Sequence, residues 1–415
     1  MNVQPAGGLL EFLQRVPDPR GRTGLRHPLS ALLAAVVCAT LCGFRGIRPV
    51  VHWLELHGVE MWHLLGFRRL PPVRQTFANV LAEVDPVRLE QVLLELIEQL
   101  DLPECADTAR ASAAKSTVTK STVTKSTVTK SAAATPSVTA PDVEIWDGKT
   151  LRGTRQGERR AEQLLIRIQH TLAKVVSSTA ISRETNESKT AYDLVRQLVL
   201  KGKLIVGDAA YCQREICEAI VEKEADDLVT VKGNQPQLLR DIELAFVIPP
   251  SFSPFAVREA QEKLQTATTI EKSRGRLETR TVTTTTSLID EHYLDWPGAQ
   301  QIIRLERHTV EKGQTRQSVT YAITSLSRDQ ADAAFLLKHL RGRWHIENRC
   351  FYVLDTVLGD DASRTRAGHA THALTCIRLS TLNLARRLGQ TVGRLCREHA
   401  LKTNLLLNRL RIFKN

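Results

Sequence analysis

The chain has 415 residues, a formal net charge of +12 and 25% charged residues, enough length for two or three domains. Its eight cysteines include no Cys-x-x-Cys pair, which argues against a metal or disulfide framework and for reduced, buried thiols. The longest apolar run, residues 29–42, is too short to span a bilayer and follows no signal-peptide pattern, so a cytoplasmic chain is expected, neither secreted nor membrane-spanning.

Residues 1–103 read as a small helical domain. One helix is expected over 29–42 and another over 86–100, where Leu89, Val92, Leu93, Leu96 and Ile97 mark the apolar face. Gly43, Gly46 and Pro49 punctuate the stretch between them. Charge is nearly balanced here, with 10 Arg against 9 acidic residues in 1–100.

Residues 104–140 break the pattern. Lys115-Ser116-Thr117-Val118-Thr119 recurs at Lys120 and Lys125, and Lys130-Ser131 begins a further copy. With no aromatic residue and few large apolar ones, the stretch reads as a flexible linker.

Residues 141–255 are mixed α/β. Strands are expected at 143–147, 164–170, 173–181, 203–208 and 228–232, and helices at 187–200 and 213–221. That order suits several α/β folds. Residues 256–328 are β-rich, with strands at 280–287, 301–308 and 317–324, and read as a small inserted sheet. Trp296 lies between two of these strands, suited to the insertion's own core or to stacking on an unpaired base. Residues 329–415 read as helical. Over 341–415 there are 14 Lys or Arg against 5 acidic residues, the footprint of a phosphate-backbone partner or a solvated helical face.

Three carboxylates stand out. Asp147 closes Val143-Glu144-Ile145-Trp146-Asp147, where Val143, Ile145 and Asp147 share a face. Asp208 closes Leu204-Ile205-Val206-Gly207-Asp208, an apolar run suited to a strand covered on both faces. Ala333, Leu337, Leu340, Trp344, Glu347, Phe351, Leu354 and Leu358 step by three and four, one helical stripe that is apolar except at Glu347. A buried carboxylate there must be paired, protonated or bound to a cation. Each has an ordinary alternative: a turn residue or cap for either Asp, an ion pair with Arg343 for Glu347. Asp355, Asp360 and Asp361 also compete, as turn residues or acceptors for Arg364 and Arg366. Asn186-Glu187 reads as a helix cap.

The strings around these carboxylates, Asp147-Gly148-Lys149-Thr150-Leu151-Arg152-Gly153, Gly207-Asp208-Ala209, Val231-Lys232-Gly233-Asn234-Gln235-Pro236 and Trp344-His345-Ile346-Glu347-Asn348, resemble one family over most of the chain. It is the H-repeat-associated branch of bacterial insertion-sequence transposases, within the DDE superfamily. Asp18-Pro19-Arg20 and His27-Pro28-Leu29 resemble the helical segment preceding its catalytic domain. The chain departs from the pattern at Arg349-Cys350-Phe351-Tyr352, where the family commonly shows Leu-His-Trp.

The resemblance implies a ribonuclease H-like catalytic core with an inserted β-rich subdomain. It implies Asp147, Asp208 and Glu347 as catalytic, metal-binding residues holding two Mg²⁺ ions, with Mn²⁺ as substitute, Asp147 bridging them. It implies double-stranded DNA, at the element's ends and the target, as partner of a homo-oligomer near the nucleoid. Lys149, Arg152, Lys232, Arg343, Arg349, Arg364 and Arg366 are the candidate DNA contacts. A role for residues 1–103 in recognising DNA ends stays open. So do two alternative activities: a nuclease of this fold that cuts without joining, and an inactive DNA-binding remnant.

Overall fold

The computed structural model describes residues 7–21, 25–100, 141–247, 264–273, 275–290 and 293–412. The linker expected at 104–140 lies outside them.

Five helices open the chain: α1 (Leu9–Leu13), α2 (Leu29–Leu41), α3 (Ile47–Leu64), α4 (Arg74–Glu83) and α5 (Pro86–Gln99). Every residue of α2 except Ser30 is buried, as an all-apolar helix requires. The Asp85 carboxylate caps α5, accepting from the Val87 and Arg88 N–H groups at 2.9 and 3.3 Å, and Pro86 takes the first helical position. The punctuated stretch after α2 forms α3, which kinks at Gly58, and α4. Pro49 does not prevent α3 because it falls in the first turn, where its missing N–H leaves no bond unmade.

The mixed portion runs β1 (Asp142–Leu151), β2 (Glu162–Gln169), β3 (Lys174–Ile181), α6 (Glu187–Gln197), β4 (Lys203–Gly207), α7 (Arg214–Glu222), β5 (Asp226–Val231) and α8 (Pro236–Ala245). Two hairpins follow, β6 (Gln265–Ser273) with β7 (Arg276–Thr285), then, after α9 (Ser287–Asp290), β8 (Gln301–Glu311) with β9 (Gln314–Thr324). The chain ends with α10 (Ala333–Gly342), a π-helical segment (Ile346–Phe351), α11 (Tyr352–Thr356), α12 (Ala370–Arg387), α13 (Val392–Leu401) and α14 (Thr403–Arg409).

Two compact units result. The first comprises the described residues of 1–106, 145–190 and 344–415, and the second those of 107–144 and 191–343. The described amino-terminal helices fall in the first of these units. They share a core with α12, whose residues 370–385 are all buried and which packs on α2, α4, α5 and β3. Asn383 seals one such contact, donating to the Val175 carbonyl at 2.9 Å and accepting its N–H at 2.8 Å. Within this unit the strand order is β3-β2-β1, with β2 and β3 antiparallel.

The second unit carries a mixed sheet of order β4-β5-β9-β8-β7-β6. β4 and β5 are parallel, and β9 pairs antiparallel to β5 from Leu228 opposite Thr324. The β-rich stretch thus forms no separate small sheet; its hairpins extend the sheet begun by β4 and β5. The apolar parts of β8 and β9, such as Ile302, Ile303, Ala322 and Ile323, lie buried toward β5. Trp296 packs toward α7, its ring 5.7 Å from the Arg214 guanidinium.

Candidate active site

Asp147 does not close its strand. β1 continues four residues beyond it to Leu151, which carries Asp147 and Lys149 on one face. Asp147 is half-buried, and its Oδ1 accepts the Gly148 N–H at 3.0 Å. A Cβ on Gly148 would lie 2.2 Å from Oε2 of Glu187, so a larger residue there would push the Glu187 carboxylate aside. Asn186 supplies the helix cap, accepting the Lys189 N–H at 2.8 Å. Glu187 instead turns its carboxylate toward the backbone beside Asp147, a neighbour that no local pattern in the sequence signals.

Asp208 follows the last residue of β4, at the carboxyl end of a parallel strand, where ligands of open α/β sheets gather. It is half-buried and its Oδ1 accepts the Ala210 N–H at 2.7 Å. The Lys232-Gly233-Asn234-Gln235-Pro236 string braces this turn. Asn234 donates to the Ala209 carbonyl at 2.7 Å, and Gln235 to the Cys212 carbonyl at 3.0 Å. The two strings therefore meet in space within the second unit.

Glu347 lies in the π-helical segment, and this changes the stripe expected for it. A π turn inserts an extra residue and rotates everything downstream. Buried positions run through Leu340, Ile346, Cys350, Leu354 and Leu358, while Trp344 is 46% exposed. Glu347 and Phe351 are half-buried on the border of that face. Such π turns recur at functional sites because they re-aim a side chain within a helix.

Asp147 and Glu347 thus belong to the first unit and Asp208 to the second. Among the described residues no three His, Cys, Asp or Glu side chains gather closely enough to hold a cation by themselves. Each of the three carboxylates is half-buried, and carboxylate oxygens are the kind of ligand that hard divalent cations prefer.

The candidate DNA contacts divide sharply. Lys149 is 4% exposed and points inward, its Nζ 2.6 Å from Asp355 Oδ1, with Asp361 and Asp360 at 3.9 and 4.0 Å. Burial raises the Asp355 carboxyl above its ordinary pKa, against the opposing pull of Lys149. Lys232, Arg349, Arg364 and Arg366 are exposed, and Arg343 is half-buried. The Arg152 side chain is 81% exposed, 3.6 Å from Asp361. Arg366 forks onto the Gly153 carbonyl at 2.9 and 3.1 Å. Part of the basic excess in 341–415 is engaged within the protein. Arg378 pairs with buried Asp360, and Arg386 and Arg387 donate to the Arg349 and Leu100 carbonyls at 2.7 and 3.0 Å. Burial lowers the Arg386 guanidinium to about 10.

No helix among the described residues is long and apolar enough to cross a membrane.

Two family models match the chain: DDE_Tnp_1-associated over residues 10–97 and the transposase DDE domain over 141–384. "Putative transposase YncI" of Escherichia coli O157:H7 is 27% identical over 400 residues, spanning 93% of this chain and 88% of that one. "H repeat-associated putative transposase YhhI" of Escherichia coli K12 is 24% identical over 391 residues, spanning 91% and 89%. Among solved structures, a piggyBac transposase synaptic complex with hairpin DNA aligns with a TM-score of 0.43 at 8% identity, over 97% of this chain and 76% of that one. The match over residues 141–384 takes in Asp147, Asp208 and Glu347, and the chain belongs to the DDE transposases, with H-repeat-associated relatives.

Proposed function

We propose that this chain binds the ends of a mobile DNA element, hydrolyses the phosphodiester there and joins the freed 3′-hydroxyl to target DNA. The observation that carries the proposal is the placement of three half-buried carboxylates within the matched DDE domain: on β1, at the carboxyl end of β4 and on a π turn.

Strand cleavage and joining are in-line displacements at phosphorus, with charge building on the attacking and leaving oxygens. Asp147, Asp208 and Glu347 would hold the divalent ions, with Mg²⁺ the natural choice for hard oxygen donors. When bound, such ions neutralise that charge and promote deprotonation of the attacking water or hydroxyl. Glu187 adds negative charge beside Asp147. The exposed side chains of Arg152, Lys232, Arg349, Arg364 and Arg366, with half-buried Arg343, would meet phosphates. Lys149, enclosed by carboxylates, is left out of that set. Acting on two element ends together calls for more than one copy of the chain, on double-stranded DNA, in a ribonuclease H-like arrangement of the core.

Incubation with paired oligonucleotide ends and a target plasmid tests this reading. Cleaved ends and joined products that vanish with Asp147→Asn, Asp208→Asn or Glu347→Gln support it. Cleavage without joining leaves a nuclease, and binding without either leaves an inactive DNA-binding protein.

A further inference from the structure

The ion pairs of Lys149 bear on how Asp147 and Glu347 are held. Asp147 and Lys149 leave the same face of β1, about 7 Å apart along the strand. The Lys149 ammonium lies 2.6 Å from Asp355 Oδ1 and 5.5 Å from the centre of the Phe351 ring. Phe351 and Asp355 lie four and eight residues beyond Glu347, at the end of the π-helical segment and on α11, which continues it. The cation therefore grips the flank of the helix that carries Glu347, two strand positions beyond Asp147.

The rest of the Asp147-Gly148-Lys149-Thr150-Leu151-Arg152-Gly153 string docks on the same stretch. The Arg152 N–H donates to Asp361 Oδ1 at 3.3 Å, and a Cβ on Gly153 would stand 2.2 Å from the Ser363 carbonyl oxygen. Asp360 is anchored from behind by Arg378 and by the Thr375 hydroxyl at 3.0 Å. All of these contacts lie within the first unit.

We propose that Lys149 is a positioning residue: its buried contact with Asp355 and Phe351 sets the spacing between Asp147 and Glu347, and so the affinity of the site for divalent cations. This rests on the function proposed above. A phosphate clamp would need the ammonium in solvent, and Lys149 is 4% exposed among three carboxylates.

Three variants test it: Lys149→Met, the double variant Lys149→Met/Asp355→Leu, which replaces the pair by apolar groups, and Lys149→Arg, which keeps the charge but moves its point of contact. Thermal unfolding, duplex binding, Mn²⁺ binding by calorimetry and cleavage kinetics are measured on each full chain. Lys149→Met is expected to melt early, because it strands Asp355. The double variant is expected to stay folded and bind DNA as the wild type does, with kcat and Mn²⁺ affinity each 10–100-fold lower and KM for DNA unchanged, roughly the effect of losing a group that orients a metal ligand. Lys149→Arg, which keeps the fold if the double variant does not, is expected to weaken Mn²⁺ binding at unchanged DNA affinity. Wild-type Mn²⁺ affinity and kcat in either folded variant would overturn the proposal, and so would weaker DNA binding with a shallower salt dependence. Cleavage surviving in Asp147→Asn, or no Mn²⁺ binding by the wild type, would instead overturn the site itself.

Discussion

Ser178 donates twice to Glu90, from its N–H and from its hydroxyl, both at 2.7 Å, and so joins β3 to helix α5. The same hydroxyl lies 3.0 Å from Nε2 of His372 on α12, which puts three distant segments into one buried polar contact. Burial pushes the Glu90 carboxyl up to about 7 although the Ser178 donors pull it down, and burial holds the His372 imidazole down to about 4.

A pH dependence with a defined sign follows. Glu90 holds its proton more tightly in the folded chain, so its contribution to stability is greatest below its ordinary pKa of 4.5 and is lost as pH rises toward about 7. His372 acts in the opposite sense, gaining stability as pH rises from about 4 to 6.5. Glu90→Gln isolates the first effect. Relative to wild type it should gain about 3 kcal/mol between pH 4.5 and 8, an order-of-magnitude figure from the shift. Denaturant unfolding at pH 5 and pH 8 checks this, and an identical difference at both would contradict it.

The pair of Arg378 and Asp360 is fully enclosed, with side chains 4% and 1% exposed. Arg378→Met leaves the Asp360 carboxylate buried beside Thr375 and Lys149, and should destabilise the chain by about 3–5 kcal/mol. Arg364→Ala, at an exposed position, should change stability by less than about 0.5 kcal/mol. Equal melting temperatures for the two variants would contradict the placement of Arg378.

The π turn makes its own prediction. Ile346→Ala should cost about 2–5 kcal/mol, because Ile346 is fully buried. Trp344→Ala should cost less, despite the larger side chain, because Trp344 is 46% exposed. The reverse order would restore the uninterrupted stripe through Trp344.

The candidate DNA contacts separate by exposure. Replacing Arg349, Arg364 and Arg366 with Ala should weaken duplex binding and reduce the salt slope by roughly 0.9 for each phosphate that is no longer neutralised. Arg387→Ala should leave the slope unchanged and lower stability, because Arg387 bonds the Leu100 carbonyl. Binding measured across a salt series separates the two outcomes.

Much of the fold was legible in the sequence where hydrophobic periodicity is strong. Helices α2 and α5 and strand β4 fall within a residue or two of the expected bounds because each buries a continuous apolar face. Strand β6 was missed because threonine, glutamate and lysine give it no apolar alternation. The π turn was illegible for a different reason: it alters backbone hydrogen bonding by one residue without changing composition. Charge counting cannot assign partners: Lys149, Arg378, Arg386 and Arg387 meet carboxylates and carbonyls that only tertiary packing supplies. The three candidate carboxylates were found through the strings around them, since burial and periodicity alone leave each a capping or ion-pair alternative.

The central claim is that Asp147, Asp208 and Glu347 act together in DNA strand transfer. The most direct measurement is joining of pre-cleaved 3′-hydroxyl ends to a target in Mg²⁺, for wild type, each single Asn or Gln variant and the double Asp147→Asn/Glu347→Gln. Each single variant should abolish joining while binding DNA normally, and the double should be little worse than either single, as expected for groups acting as one unit. Joining that survives neutralisation of any one of the three, in a folded protein that binds DNA, would contradict the account.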